Sequence, residues 1–165
     1  MIVIGLDPGT DLSAVVFWNG REVYSHAIAP NEAVLTDYML HAKTLAHVLA
    51  LEKVESFGMA VGKDVFRTVF WSGRFAQAWT PQPFVEVTRR EVKLHLCGHS
   101  RATDANIRQA LIDRFGPPGV KAKKGLLYGL KGHEYAALAV AVTWLDLHPQ
   151  EPTGEIVRPG VRAEF

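Results

Sequence analysis

The chain has 165 residues and a formal net charge of +1, and hydrophobic residues make up 48% of it. This length and composition indicate one globular domain with an ordinary hydrophobic core. The single cysteine, Cys97, excludes a disulfide within the chain and is typical of a small buried residue in a reducing compartment. Because we find neither a membrane-length apolar run nor a charged and apolar leader, we expect a cytoplasmic protein of bacteria or phage-infected cells without membrane contact.

The charges are distributed unevenly along the chain. Residues 89–132 hold 10 Lys and Arg against 3 Asp and Glu, a net charge of +7, whereas residues 1–88 and 133–165 each have a net charge of −3. A basic segment of this density is typical of a protein that binds a polyanion. Taken alone, an ordinary solvated face explains it equally well.

The first part of the chain predicts three strands in an antiparallel meander. Residues 2–7 form an apolar run that ends in the carboxylate of Asp7 and a sharp Pro-Gly turn. The second strand is Leu12–Trp18, and Asn19-Gly20 predicts a hairpin turn into a third strand, Glu22–Ile28. An Asp at the end of a buried strand is placed to hold a metal ion or a metal-bound phosphate.

Helices alternate with strands in the remainder of the chain. The predicted helices are Asn31–Ala46, with Asn31 as its cap, Val61–Trp79, Arg89–Leu96, Thr103–Phe115 and His133–Leu147, and the predicted strands are Val48–Val54 and Phe84–Val87. We expect a basic loop over 120–132 and a loosely ordered tail over 148–165. This order indicates an α/β fold with a mixed sheet, in one domain over 1–147.

Polar side chains stand at unusual places in three of these elements. Asp7 ends the first strand, and Glu52 interrupts an otherwise apolar strand, where a carboxylate costs free energy unless it is paired or binds a cation. His133 and Glu134 open the last helix, and taken singly they are explained by a core histidine and a capping acid. Taken together beside the basic segment, the converging carboxylates predict hard oxygen ligands for Mg²⁺ or Mn²⁺ at a phosphodiester.

Five segments of the chain are similar to segments of one protein family and occur in the same order. They are Ile4–Thr10, Leu51–Gly62, Phe70–Phe75, Lys93–Phe115 and Gly132–Ala141. In this order they resemble RuvC-type Holliday junction resolvases, and in particular the compact phage-type branch of that family. The resemblance implies a ribonuclease H-like fold, in which three antiparallel strands are followed by parallel strands and flanked by helices.

The resemblance also implies a metal site with four members, two divalent ions (Mg²⁺, with Mn²⁺ as a substitute) and no organic cofactor. The family's first Asp falls on Asp7 and its strand Glu on Glu52. Its last helix offers two ligands three residues apart, which fall on His133 and Ala136. Because Ala136 cannot bind a metal, we expect Glu134 to supply the missing carboxylate and His133 to bind a metal or orient water.

Two further acids stand outside this set. Glu55, near the end of its strand, is a weaker substitute for the missing carboxylate. Asp104 is expected to be structural, because short acids are preferred at helix N-termini.

The activity implied by the resemblance is that of a crossover junction endodeoxyribonuclease, which resolves four-way (Holliday) junctions or other branched DNA by two-metal hydrolysis. It leaves a 5′-phosphate and a 3′-hydroxyl. A homodimer is implied as well, and its twofold symmetry suits a junction. The residues expected to contact DNA phosphates are Arg89, Arg90, Lys93, Arg101, Lys121, Lys123, Lys124 and Lys131, with Arg108 as an addition.

Three alternatives stay open at this point. The missing acid at position 136 suggests a branched-DNA-binding module that has lost catalysis. An actin-like phosphotransferase or ATPase begins with a similar strand, but it needs a second phosphate loop and a second half, for which this chain is too short. A nuclease acting on flaps, forks or replication branches shares every feature with a strict junction resolvase.

Overall fold

A five-stranded mixed sheet forms the centre of the computed structural model, which describes residues 1–56, 58 and 60–149. The strands are β1 (Val3–Asp7), β2 (Leu12–Trp18), β3 (Val23–Pro30), β4 (Val48–Lys53) and β5 (Phe84–Thr88). Their order in the sheet is β3-β2-β1-β4-β5. The first three strands pair antiparallel, whereas β4 is parallel to both β1 and β5. The predicted α/β fold with its mixed sheet is therefore confirmed.

Helices cover both faces of this sheet. They are α1 (Asn31–Ala33), a π-helical segment (Val34–Met39), α2 (Leu40–Ala42), α3 (Lys63–Trp79), α4 (Arg89–Cys97), α5 (Asp104–Phe115) and α6 (His133–Leu147). A short antiparallel ribbon of β6 (Gly119–Val120) and β7 (Lys123–Lys124) lies between α5 and α6 in the sequence. Among the described residues, none of these helices has the length and apolar character needed to cross a membrane.

Helix α6 lies directly on β1. A Cβ atom added to Gly5 would stand 1.9 Å from the carbonyl oxygen of Ala137 and 2.9 Å from the Cβ of Ala141. Only glycine permits this approach of strand and helix backbones. Because His133 begins α6 one turn before Ala137, and Asp7 ends β1 two residues after Gly5, the contact sets the start of the helix beside the end of the strand.

The far end of α6 is tied to two other helices through one carboxylate. A hydrogen bond of 2.7 Å joins Asp146 Oδ2 to His95 Nε2 of α4, and Arg114 of α5 donates to Asp146 Oδ1 at 2.9 Å. The opposite face of the sheet is covered by α3, whose Trp71, Phe75 and Trp79 are buried.

Some predicted boundaries are wrong at the first helix and in the basic loop. Pro30 caps the first helix in place of Asn31, whose side chain is buried and points back towards the β1–β2 loop. The helical stretch ends at Ala42 rather than at Ala46. Part of the expected loop over 120–132 forms the β6–β7 ribbon. The tail predicted over 148–165 lies, from residue 150 onward, outside the described residues.

The contact between Gly5 and α6 predicts a sharp difference between two glycines. Gly5→Ala is expected to lower the free energy of unfolding by about 2 kcal/mol or more, since the new methyl group must push α6 away from β1. Gly73→Ala in α3 is the control, because a Cβ there meets no heavy atom within 4 Å. It should raise the stability by about 0.5–1 kcal/mol. Urea unfolding measures both, and equal midpoints for Gly5→Ala and wild type would contradict the close approach.

Candidate active site

Asp7 and Glu52 stand at the carboxyl ends of neighbouring parallel strands. The register pairs Leu6 of β1 with Leu51 of β4, and the two acids are the next residues of their strands. Both side chains are largely buried, at 14% exposed for Asp7 and 12% for Glu52. Carboxyl ends of parallel strands are where α/β sheets place their ligand sites.

Burial, together with the neighbouring negative charge of Glu52, raises the pKa of Asp7 from its usual 3.8 to about 7. A hydrogen bond and the charge of His133, and the charge of Arg89, act in the opposite direction but do not offset these causes. Burial is the larger of the two causes, and an acid whose pKa is raised in this way is a candidate functional group. A bound cation would favour its ionised form.

His133 lies beside Asp7 on the exposed side of the site. Its Nδ1 lies 2.8 Å from Asp7 Oδ2, in a hydrogen bond between the first residue of α6 and the last residue of β1. The imidazole is 79% exposed, whereas the Asp7 side chain is 14% exposed. Of the two polar residues at the start of the last helix, His133 is the one that the structure brings to Asp7.

The loop that follows Asp7 is held by a closed set of hydrogen bonds. Ser13 Oγ accepts a hydrogen bond from the backbone N–H of Gly9 at 3.1 Å and donates to Asn31 Oδ1 at 2.6 Å. Asn31 Nδ2 in turn donates to the carbonyl oxygen of Gly9 at 3.0 Å. The only feature of the sequence that indicates these hydrogen bonds is Ser13, a hydroxyl in an otherwise apolar strand.

Arg89 bridges two acids at the edge of the site. Its Nη1 donates to Glu52 Oε1 at 2.9 Å, and its Nη2 donates to Asp104 Oδ1. The expectation that Arg89 contacts DNA stays a prediction, but its guanidinium has protein partners here. The sequence analysis gave Asp104 only a role at the start of its helix and missed this charge pair, because nothing local indicates it.

Glu134 faces another part of the molecule. Its Oε1 lies 2.7 Å from His26 Nδ1 of β3, and its Oε2 accepts the backbone N–H of Lys131 at 2.7 Å. In the part of the chain that the structure describes, no hydrogen bond or ion pair joins it to Asp7 or Glu52. Consecutive helix residues point about 100° apart, so a side chain next to His133 need not face the same site. The role of Glu134 as a metal ligand stays a prediction, and its observed role is to anchor the start of α6.

A cavity of about 250 Å³ opens beside the two strand acids. Its lining residues are Asp7, Pro8, Glu52, Lys53, Val54, Glu55 and Arg89. Within residues 1–56, 58 and 60–149, no three His, Cys, Asp or Glu side chains converge tightly enough to enclose an ion. The donors still fit a hard divalent cation in their chemistry, because Asp7, Glu52 and Glu55 offer carboxylate oxygens to one cavity.

The expected DNA-binding residues lie mostly on the surface. Those that are exposed are Arg90, Arg101, Lys121, Lys123, Lys124 and Lys131, and Lys93 is half-buried. Three of the lysines belong to the β6–β7 ribbon or its turn. The guanidinium of Arg108 stacks 4.8 Å from the ring centre of Tyr135, which gives it a partner within the protein.

Two solved structures share this arrangement of strands and helices. RuvC of T. thermophilus in complex with a Holliday junction substrate matches with a TM-score of 0.67 over 87% of this chain and 92% of its own, at 17% sequence identity. The chain has the RuvC fold. Thermus thermophilus RuvC in a second structure matches over the same shares with a TM-score of 0.57 at 18% identity. No model of a protein family and no curated protein matches the sequence.

The raised pKa of Asp7 predicts how stability depends on pH without divalent ions. An acid that is harder to ionise in the folded state contributes stability that is fully present below pH 3.8 and is lost as the pH rises through about 7. Asp7→Asn removes this loss. It should therefore raise the free energy of unfolding at pH 8 by at most about 4 kcal/mol and leave that free energy unchanged near pH 4.

Thermal unfolding in EDTA at both pH values measures this effect. Glu22→Gln, at an exposed acid in the β2–β3 turn, is the control and should leave the stability unchanged at both pH values. A stabilisation by Asp7→Asn that is equal at pH 4 and pH 8 would contradict the assigned cause.

Proposed function

We propose that this protein is a divalent-metal-dependent endonuclease that cuts branched DNA, and four-way junctions in particular. The observation that carries the proposal is the pair of largely buried carboxyl groups of Asp7 and Glu52 at adjacent strand ends of a RuvC fold. The solved RuvC complex with a Holliday junction supports the choice of substrate.

Asp7 and Glu52 would hold the metal, and His133 beside Asp7 would complete the donor set. A Mg²⁺ or Mn²⁺ ion held there would supply an activated water and would stabilise the leaving 3′ oxygen, so that cleavage would give a 5′-phosphate. His133 orients the carboxylate of Asp7 through the 2.8 Å hydrogen bond, and the ring of bonds through Ser13 keeps the following loop in place. Two ions in one site would need a further acid, for which Glu55 lines the same cavity.

The exposed basic residues supply the affinity for DNA in this proposal. Lys121, Lys123 and Lys124 project from a short ribbon and its turn, where phosphates can reach them without opening the fold. Such contacts position DNA and carry little sequence information. They therefore suit a nuclease that selects its substrate by shape.

A homodimer is part of the proposal as well. Phe66, Val69 and Phe70 of α3 are 65%, 48% and 62% exposed and are spaced so that they share one side of the helix. An exposed apolar patch of this kind marks a protein contact. A second copy of the chain covering it would place two active sites on one junction.

A binding module without catalysis is the second candidate. It is favoured by Ala136 and by the observed partners of Glu134, since together they leave the site one carboxylate short of the RuvC-type set. Cleavage by the wild-type protein distinguishes the two candidates.

Asp7→Asn should abolish cleavage and keep junction binding, because it removes a metal ligand but none of the basic surface. The experiment compares a labelled four-way junction with a matched linear duplex in Mg²⁺ or Mn²⁺, and a gel shift in EDTA measures binding. Asp11→Asn, at an exposed acid paired with Arg67 in the next loop, is the matched control and should cut normally. Absence of cutting by wild type with either metal, despite tight junction binding, would favour the inactive module.

Glu134→Gln tests whether this acid binds the metal. If it only anchors α6, the amide still accepts the hydrogen bond from Lys131, so we expect cleavage within about tenfold of wild type and a stability lower by about 1 kcal/mol. A loss of cleavage as complete as that of Asp7→Asn, with unchanged stability, would make Glu134 a ligand and refute the anchoring role. Cleavage rates and urea midpoints give both readouts.

Changing Lys121, Lys123 and Lys124 together to Ala should weaken junction binding and reduce its salt dependence. Each lost phosphate contact lowers the slope of log affinity against log salt by about 0.9, so three contacts lower it by about 2–3. Changing Arg21, Lys43 and Lys63 to Ala removes three basic residues outside the basic segment and serves as the control. An unchanged slope in the first variant would remove the ribbon from the DNA interface.

A further inference from the structure

A guanidinium occupies one edge of the proposed metal site. Arg89 lines the same cavity as Asp7 and Glu52, and its Nη1 is 2.9 Å from Glu52 Oε1. Lys53, the other basic residue of the cavity wall, pairs instead with Glu55 at 4.0 Å and Glu86 at 3.8 Å. Arg89 is thus the basic side chain on this wall that neutralises the buried strand acids.

The two partners of Arg89 differ greatly in their surroundings. The Glu52 side chain is 12% exposed, whereas that of Asp104 is 78% exposed. A pair with an exposed acid is screened by water and contributes little to stability. A pair with a buried acid is costly to break unless another cation replaces the guanidinium. The ion pair of Arg89 with Glu52 is therefore the stronger of the two, and the pair with Asp104 is the weaker.

The backbones on both sides of this bridge are fixed, so the arginine side chain is the part free to move. Arg89 begins α4 directly after Thr88, which forms a capping box with Glu91. Asp104 begins α5 directly after Thr103, which forms a capping box with Asn106. Capping boxes satisfy the free N–H groups of a helix start and hold it in place.

We infer that Arg89 is an internal counterion of the metal site, which a divalent cation displaces from Glu52 and which then binds a DNA phosphate beside the site. This inference rests on the proposed function. Without metal, the guanidinium neutralises Glu52 and Asp104 holds it at the rim. With metal, the cation takes over Glu52, and the freed guanidinium offers its planar pair of N–H groups to a phosphate.

This exchange couples metal binding to DNA binding. Because both ligands favour the arrangement in which Arg89 has left Glu52, each should raise the affinity for the other by the same factor. The protein would then assemble its full set of ligands only where a cation and a phosphate are present together.

The test measures cation and DNA binding rather than cleavage, with Ca²⁺ as the probe. Titration calorimetry of Ca²⁺ should give an affinity about five- to tenfold higher for Arg89→Gln than for wild type, because the competing guanidinium is gone. Asp104→Asn should change the affinity in the opposite direction, since the guanidinium then pairs with Glu52 alone. Arg21→Gln is the control, at an exposed arginine outside the basic segment, and its Ca²⁺ affinity should equal that of wild type.

Junction binding in EDTA and in Ca²⁺ completes the test. Ca²⁺ should tighten the binding of wild type and of Arg21→Gln several-fold more than that of Arg89→Gln. Arg89→Lys keeps the positive charge but cannot pair with Glu52 and Asp104 at the same time. It controls for loss of folding, and both of its affinities should lie between those of wild type and Arg89→Gln.

Two outcomes would overturn the inference. Equal or weaker Ca²⁺ binding by Arg89→Gln, together with Ca²⁺ binding that is lost in Asp7→Asn, would refute the displaced counterion and leave the proposed metal site intact. Absence of Ca²⁺ binding by wild type and every variant would refute the counterion and the metal site together. A Ca²⁺ affinity that rises in Arg89→Gln and falls in Asp104→Asn would support the inference, because a purely structural role of Arg89 would lower the affinity in both variants.

Discussion

Two carboxylates buried side by side are the constraint on which the rest of the site depends. Asp7 and Glu52 repel each other where two parallel strands end, and little water is present to screen them. The protein partly offsets this repulsion with side chains from two helix starts, His133 of α6 and Arg89 of α4. Helix α6 begins beside the carboxyl end of β1, and α4 begins directly after β5.

The sequence predicts the sheet and the strand acids well because both leave a local signal. Apolar runs and a hairpin turn indicate the strands, and a carboxylate in an apolar strand is conspicuous. Contacts between distant segments leave no such signal. The bridge from Arg89 to Asp104 and the packing of Asn31 against the Gly9 loop depend on where whole elements pack, which no spacing along the chain reveals.

The last helix illustrates a second limit of reading a sequence. His133 and Glu134 are neighbours in the chain, and both are polar residues at the start of an apolar helix, so the sequence suggests a shared site. In the structure their side chains diverge, one towards Asp7 and the other towards His26. Adjacent helix positions point in different directions, and tertiary packing alone decides which of them meets the strand ends.

The close contact of Gly5 with Ala137 also separates two parts of the molecule that are adjacent in sequence. Helix α6 is positioned by backbone packing on β1, by Asp146 at its far end, and by the bond between Glu134 and Lys131 at its start. The exposed β6–β7 ribbon takes part in none of these contacts, so substitutions on its surface should leave His133 in place. In the proposed nuclease, the surface that meets DNA is thus separate from the contacts that hold His133 beside Asp7.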